Sequence, residues 1–232
     1  MSQRQNERMR TDKYYNLHIV NEYDCGYDGV PELKWQDSNP KRLVGFNYAL
    51  SMKMERKKGS YCHFFLDDYQ FERTWRHPEQ YLKTLSEFAG VLTPDFSLYA
   101  DMPMPMQRWN IYRARALGYY WQRNGMTVIP TLGWSTPDSY DFCFDGIPMR
   151  STVAVSTVGV INSKESMNLW RYGMDEALYR LDPSRVLVYG KMPDFDFGDV
   201  PVSNFVSGIE ERIVKWEEEE AARLGQARLL AV

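Results

Sequence analysis

The chain has 232 residues, 44% of them hydrophobic and 15% aromatic, with 28 Lys+Arg against 31 Asp+Glu for a net charge of −3. That suits one sizeable domain and argues against disorder and against a polycation, so any nucleic-acid contact has to come from a local basic patch. No apolar run approaches the roughly 20 residues of a membrane helix, and the start, residues 1–13, lacks the apolar core of a signal peptide. The expectation is a soluble, cytoplasmic protein without a membrane partner. Cys25, Cys62 and Cys143 form no Cys-x-x-Cys pair, and with only His18, His63 and His77 no metal motif is visible. No Cys/His metal site is therefore expected and no metal ligands are assigned, and the cofactor, metal dependence and the oligomeric state are left open.

In chain order, residues 1–13 read as a flexible polar tail and residues 14–232 as a single α/β domain ending in a C-terminal helix. Strand-like runs fall at Leu17–Val20, Leu43–Tyr48, Cys62–Asp67, Val91–Asp95, Val128–Leu132, Thr152–Val158, Val186–Gly190 and Val202–Val206. Helical patterns cover Glu79–Phe88, started by Pro78, and Met104–Asn124, stopped by Asn124-Gly125. Two more cover Lys164–Leu181, ended by Asp182-Pro183, and Ile209–Leu224, ended by Gly225. Ser51–Ser60 is too short for a full helix, and Phe71–Pro78 reads as a loop. Strand and helix in alternation imply parallel strands with crossover helices. The expected fold is a (β/α)-barrel-like domain with some helices missing or short, the alternative an open doubly wound parallel sheet.

Strand alternation pairs Gly45 with Asn47 against Phe46 and Tyr48, Thr93 and Asp95 against Leu92, and Ala154 and Ser156 against Val153 and Val155. If the small faces point inward, they leave a polar pocket at the C-terminal mouth. Ligands of parallel α/β folds bind beyond the carboxyl ends of the strands. There the sequence supplies Asp67 and Asp68, then Asp95 and Ser97, with Asp101 shortly after, then Trp134 and Ser135, Ser156 and Lys191. Clustered carboxylates share a proton, act as acid, base or nucleophile, or hold a divalent metal. Capping of the following helix is the competing use of such an Asp. Only one of Asp67 and Asp68 can point inward from a continuing strand.

Residues 102–137 hold no acid but carry Arg108, Arg113, Arg115 and Arg123, with Arg108, Tyr112, Arg115 and Tyr119 on one helical face. Such a face suits phosphate neutralisation and base stacking; a half-buried outer face of a barrel helix has the same pattern. Arg73, Arg76 and His77 offer either a second anion site or a loop stabilised by Arg–Asp pairing, Phe144-Asp145-Gly146 a turn, and Glu217–Glu220 a solvated helical face.

The strings Gly-Phe-Asn-Tyr-Ala-Leu-Ser at 45–51, Phe-Phe-Leu-Asp-Asp-Tyr-Gln-Phe-Glu from Phe64 and Leu-Thr-Pro-Asp-Phe-Ser-Leu-Tyr-Ala-Asp-Met-Pro from Leu92 are distinctive. With Tyr-Trp-Gln-Arg-Asn-Gly from Tyr120, Phe-Cys-Phe-Asp-Gly from Phe142 and Val-Ser-Thr-Val-Gly from Val155, they resemble the domain-of-unknown-function family numbered 4417. That resemblance implies a bacteriophage, plasmid or other mobile-element setting and no established activity. A second likeness is to the tRNA-guanine transglycosylase-like barrels with which phages modify DNA bases. A strand ending Leu-Asp, a strand ending Pro-Asp and an Asp six residues on would put Asp67, Asp95 and Asp101 in those places, although the zinc site of that group is missing.

The functional expectation is a mobile-element enzyme acting on nucleic acid or nucleotide by base or glycosidic-bond chemistry. Asp67, Asp68 and Asp95 would supply nucleophile and general acid/base, Asn47, Trp134 and Ser156 would line the pocket together with Asp101, and Arg76 or Arg108 would hold phosphate. The rival is a non-catalytic binding protein, a replication accessory or an inhibitor of host defence.

Overall fold

Short β-rich runs become short parallel strands, and the segments between them supply the helices that cover one side. The computed structural model describes residues 14–26, 28–160 and 163–206. The tail at 1–13, the helix expected at Ile209–Leu224 and the Glu217–Glu220 run lie outside these residues. Strands β1 (Leu43–Gly45), β2 (Tyr61–His63), β3 (Gly90–Leu92) and β4 (Val128–Ile129) form one parallel sheet in sequential order. Strands β5 (Thr152–Ser156), β6 (Arg185–Tyr189) and β7 (Val202–Phe205) form a second. A parallel bridge between Thr131 and Ala154 joins them, with Leu132 N–H donating to Ala154 O at 2.7 Å and Ala154 N–H to Pro130 O at 2.9 Å.

The helices are α1 (Phe46–Ala49), α2 (Met54–Lys57), α3 (Asp68–Arg76), α4 (Pro78–Ser86), α5 (Met104–Arg123) and α6 (Lys164–Leu181). Local chemistry sets several ends. Pro78 opens α4 with a preset φ, and the Ser163 hydroxyl caps α6 by accepting from Ser166 N–H at 3.2 Å. Asp182, at φ 43 and followed by Pro183, stops α6. Among the described residues no helix is long and apolar enough to cross a membrane.

Val44, Cys62, Val91 and Val128 pack against Phe71, Trp75, Leu85, Leu117 and Trp121 of α3–α5. Val153, Val155, Val186 and Val188 pack against Trp170, Met174, Ala177 and Leu181 of α6. The opposite face gathers Leu43, Tyr61, Leu92, Ile129, Ala154, Leu187, Tyr189 and Phe205 with Phe65 into one cluster. All seven strands contribute to it, so the sheets curl around a common interior. Between β7 and β1 the described residues show no backbone pairing; the contact there is Ser203 Oγ–H to Asn39 Oδ1 at 3.1 Å. The fold is thus α/β with sequentially wound parallel strands. Barrel closure is not seen, and neither sheet has the reversal of strand order of a doubly wound fold.

Several expectations are corrected. Leu17–Val20 is no strand: Asn16 at φ 57 turns the chain into a 3-10 turn at Leu17–Ile19, which buries Ile19. The run Leu43–Tyr48 leaves the sheet at Gly45 and becomes α1. Phe71–Pro78 is helical through Arg76, because Phe71, Thr74 and Trp75 recur at helical spacing and bury together. On β2, β3 and β6 the inner face is bulky rather than small, whereas on β5 it is the small Ala154 that points inward, with Val153 and Val155 against α6. His63 and Phe65 stack on Tyr189 at 4.3 and 5.0 Å, and Leu92, not Thr93, points inward. Thr93 turns its methyl to Gly118 of α5, where an added Cβ would come within 2.6 Å.

Candidate active site

Above the interior, past the C-terminal ends of β2–β5, lies a cavity of about 650 Å³. Asp67, Asp95, Ser97, Trp134, Ser135 and Ser156 line it, joined by Phe65, Gln70 and Tyr99. Asp67 occupies the N-cap position of α3, yet its side chain makes no capping hydrogen bond and stays exposed on the cavity wall. The capping use of this Asp is therefore excluded. Its neighbour Asp68 turns away: its carboxylate accepts from Ser97 Oγ–H at 2.9 Å and from Ser97 N–H at 3.2 Å. Burial raises the Asp68 pKa, and the Ser97 bonds and the Arg113 charge oppose the rise.

Asp95 is the most perturbed carboxyl of the cavity. Burial, reinforced by the charge of Asp68, pushes its pKa up to about 7, and no hydrogen bond from the described residues offsets that penalty. One carboxylate oxygen lies beside Gly133 in the segment beyond β4, 3.6 Å from where a Cβ would sit.

The loop carrying Asp95, Ser97 and Tyr99 has no regular structure and is held by polar side chains of α5. Asn110 Nδ2–H donates to Ser97 O at 2.8 Å, and Gln107 Nε2–H donates to Met102 O at 2.8 Å. Gln107 Oε1 in turn accepts from Ser135 Oγ–H at 2.6 Å, tying the next strand end to the same helix. Buried Arg113 pairs with Glu72 of α3 at 2.8 Å and lies 3.8 Å above the Phe96 ring. Trp134 lies flat on α6 at Gly173 and donates Nε1–H to Leu169 O at 3.1 Å.

With that geometry in place, comparison with known proteins gives a family. The model of the domain of unknown function DUF4417 matches residues 21–206. The chain belongs to the DUF4417 family. This DUF4417 protein is 43% identical over 201 residues to the Gene 1 protein of Mycobacterium phage L5, covering 87% of each chain. It is 41% identical over 186 residues to the Gene 1 protein of Mycobacterium phage D29, covering 80% of this chain and 68% of that one. No solved structure matches it.

The likeness to tRNA-guanine transglycosylase barrels gains no support. Asp101 is exposed and absent from the cavity wall, so the three-carboxylate layout does not assemble. Asn47 is exposed in the first turn of α1, Arg76 is exposed at the end of α3, and Arg108 lies over the Phe142 ring at 4.4 Å; none of them lines the cavity. Nor is the arginine–tyrosine face of α5 free. Arg115 is 1% exposed and donates to the carbonyls of Asp145, Cys143 and Thr131 at 2.9, 3.0 and 3.4 Å. Tyr119 is buried with its hydroxyl on the Asp24 carboxylate, and Tyr112 stacks on Trp109 at 5.6 Å. This helix is covered nearly all round, which periodicity alone does not reveal. Gln70 and Tyr99 went unread as site residues. Helical spacing from Asp67 points to Gln70, whereas Tyr99 sits on an irregular loop with no periodic signal.

Proposed function

We propose that this DUF4417 protein is a phage-type enzyme that acts on a nucleoside or nucleotide at the glycosidic bond, in the cytoplasm of the host. The observation that carries the reading is Asp95, a carboxyl poised near pH 7 inside a cavity that also presents the uncapped carboxylate of Asp67. A general acid works best with a pKa near the operating pH. Phe65, Tyr99 and Trp134 offer apolar surface for a base, and among the described residues the cavity wall holds no lysine or arginine.

In this reading the Asp95 carboxyl gives its proton to the departing base as the C1′–N bond breaks, while Asp67 attacks C1′ and forms an ester. Asp95, now ionised, takes a proton from water, which attacks C1′ and frees Asp67. Asp68 holds Ser97 and, through its charge, keeps the Asp95 pKa high.

The test is base release from nucleosides, nucleotides and oligonucleotides, including modified bases, followed by chromatography. Asp95→Asn and Asp67→Asn are each expected to lose at least about 100-fold in rate while still binding ligand. A wild-type protein that binds such ligands but releases no base overturns the enzyme reading in favour of a non-catalytic binding protein.

A further inference from the structure

Three serines reach the carboxylate cavity from the strand ends: Ser97 after β3, Ser135 after β4 and Ser156 at the end of β5. Each hydroxyl has one hydrogen to donate and lone pairs with which to accept. The Ser97 hydrogen goes to the Asp68 carboxylate at 2.9 Å and that of Ser135 to Gln107 Oε1 at 2.6 Å, so both are spent. Ser156 is engaged the other way round. Its Oγ accepts from Val158 N–H at 3.1 Å, and its hydrogen has no partner among the described residues. Half-buried on the cavity wall, Ser156 holds out an unspent hydroxyl hydrogen.

Strand order places that hydrogen relative to the carboxyls. Asp67 follows β2, Asp95 follows β3, Trp134 lies beyond β4 and Ser156 ends β5. Strands β2, β3 and β4 are successive neighbours, and the Thr131–Ala154 bridge sets β5 beside β4. Ser156 therefore stands at the opposite end of the row from Asp67, with Asp95 between them. Two successive residues of α6 fix this far wall. Trp170 donates Nε1–H to Ser156 O at 3.0 Å, and Leu169 O accepts from Trp134 Nε1–H at 3.1 Å. The two indole rings lie 6.2 Å apart. One helical turn thus holds both an aromatic surface and a free donor on the same wall.

We infer that this wall is the base subsite, and that the Ser156 hydroxyl selects bases with a carbonyl oxygen on the edge remote from the sugar: hypoxanthine, guanine, uracil and thymine in preference to adenine and cytosine. The inference rests on the function proposed above. With C1′ at Asp67 and the glycosidic nitrogen at Asp95, the base extends toward Trp134 and Ser156. A carbonyl there takes the free hydrogen, whereas an amino group brings hydrogens of its own and leaves that of Ser156 unpaired.

Calorimetric titration of the full chain with inosine, adenosine and purine riboside, which has neither carbonyl nor amino group at that edge, tests this, alongside base release from each. Inosine should bind about fivefold more tightly than the other two, the worth of one hydrogen bond. Ser156→Ala should bind all three as weakly as the wild type binds purine riboside, and Ser156→Thr, which keeps a hydroxyl, should keep the preference. Equal binding of the three by the wild type, a result that needs no variant, overturns the subsite. So does a preference for inosine that survives in Ser156→Ala. Base release in either case leaves the glycosidic reading standing. A preference that Ser156→Ala abolishes, with no base released from any of the three, supports the subsite and overturns the reaction. Failure of all three nucleosides to bind overturns both.

Discussion

Asp67 and Asp68 are adjacent in sequence and end in different surroundings, because the chain passes from strand to helix between β2 and α3 and the two side chains diverge. Asp67 reaches the cavity wall, Asp68 reaches back to Ser97, and Asp95 is pressed between burial and the Asp68 charge. The pKa of Asp95 carries a stability signature. It stands near 7 in the folded protein against about 3.9 in an unfolded chain. Between those values the folded state holds the proton and the unfolded state has released it. The stabilising contribution of Asp95 is therefore full below about pH 4 and is lost as pH rises to about 7. Asp95→Asn removes that dependence. Its melting temperature should exceed that of the wild type at about pH 8 and converge on it near pH 4. Melting curves that stay parallel across that range would show that the carboxyl is not perturbed.

At the scale of elements, the site depends on two helices used in opposite ways. Helix α5 turns buried polar groups, Gln107, Asn110 and Arg113, toward an irregular loop and so gives Asp95 and Ser97 a defined place. Helix α6 instead removes a side chain: at Gly173 a Cβ would overlap the indole of Trp134. Gly173→Ala should displace Trp134 from the cavity wall and destabilise by up to about 2 kcal/mol, an overpacking cost of roughly 1–3 kcal/mol less the ~1 kcal/mol of helix propensity regained. Urea denaturation checks the cost and tryptophan fluorescence the displacement. Unchanged stability and spectrum would mean that the ring yields freely.

Over the whole molecule, the two sheets meet in the Thr131–Ala154 bridge and in the shared inner cluster, where Tyr189 of β6 contacts His63 and Phe65. His63, 3% exposed, has its pKa lowered to about 3 by burial, so it sits neutral in that interior and accepts from Phe65 N–H. Such sharing predicts one cooperative unit. Scanning calorimetry should give a single transition, and Tyr189→Ala should move it down as a whole, by about 3–5 kcal/mol in stability. Two separable transitions would show that the sheets fold independently.

The sequence by itself determined what depends on near neighbours. The end of α6 follows from an Asp-Pro stop, and the start of α4 from Pro78. The parallel α/β class follows from the strand–helix alternation. Asp67, Asp95, Trp134 and Ser156 were legible together because the carboxyl ends of parallel strands converge whatever the helices do. Tertiary structure alone decided which strand face looks inward and which helical surface meets water. Leu92 rather than Thr93 fills the interior, and Arg115 and Tyr119 are buried rather than offered to a nucleic acid. The physical reason is range: caps, turns and alternation act over a few residues, whereas burial is settled by whichever distant element packs on top.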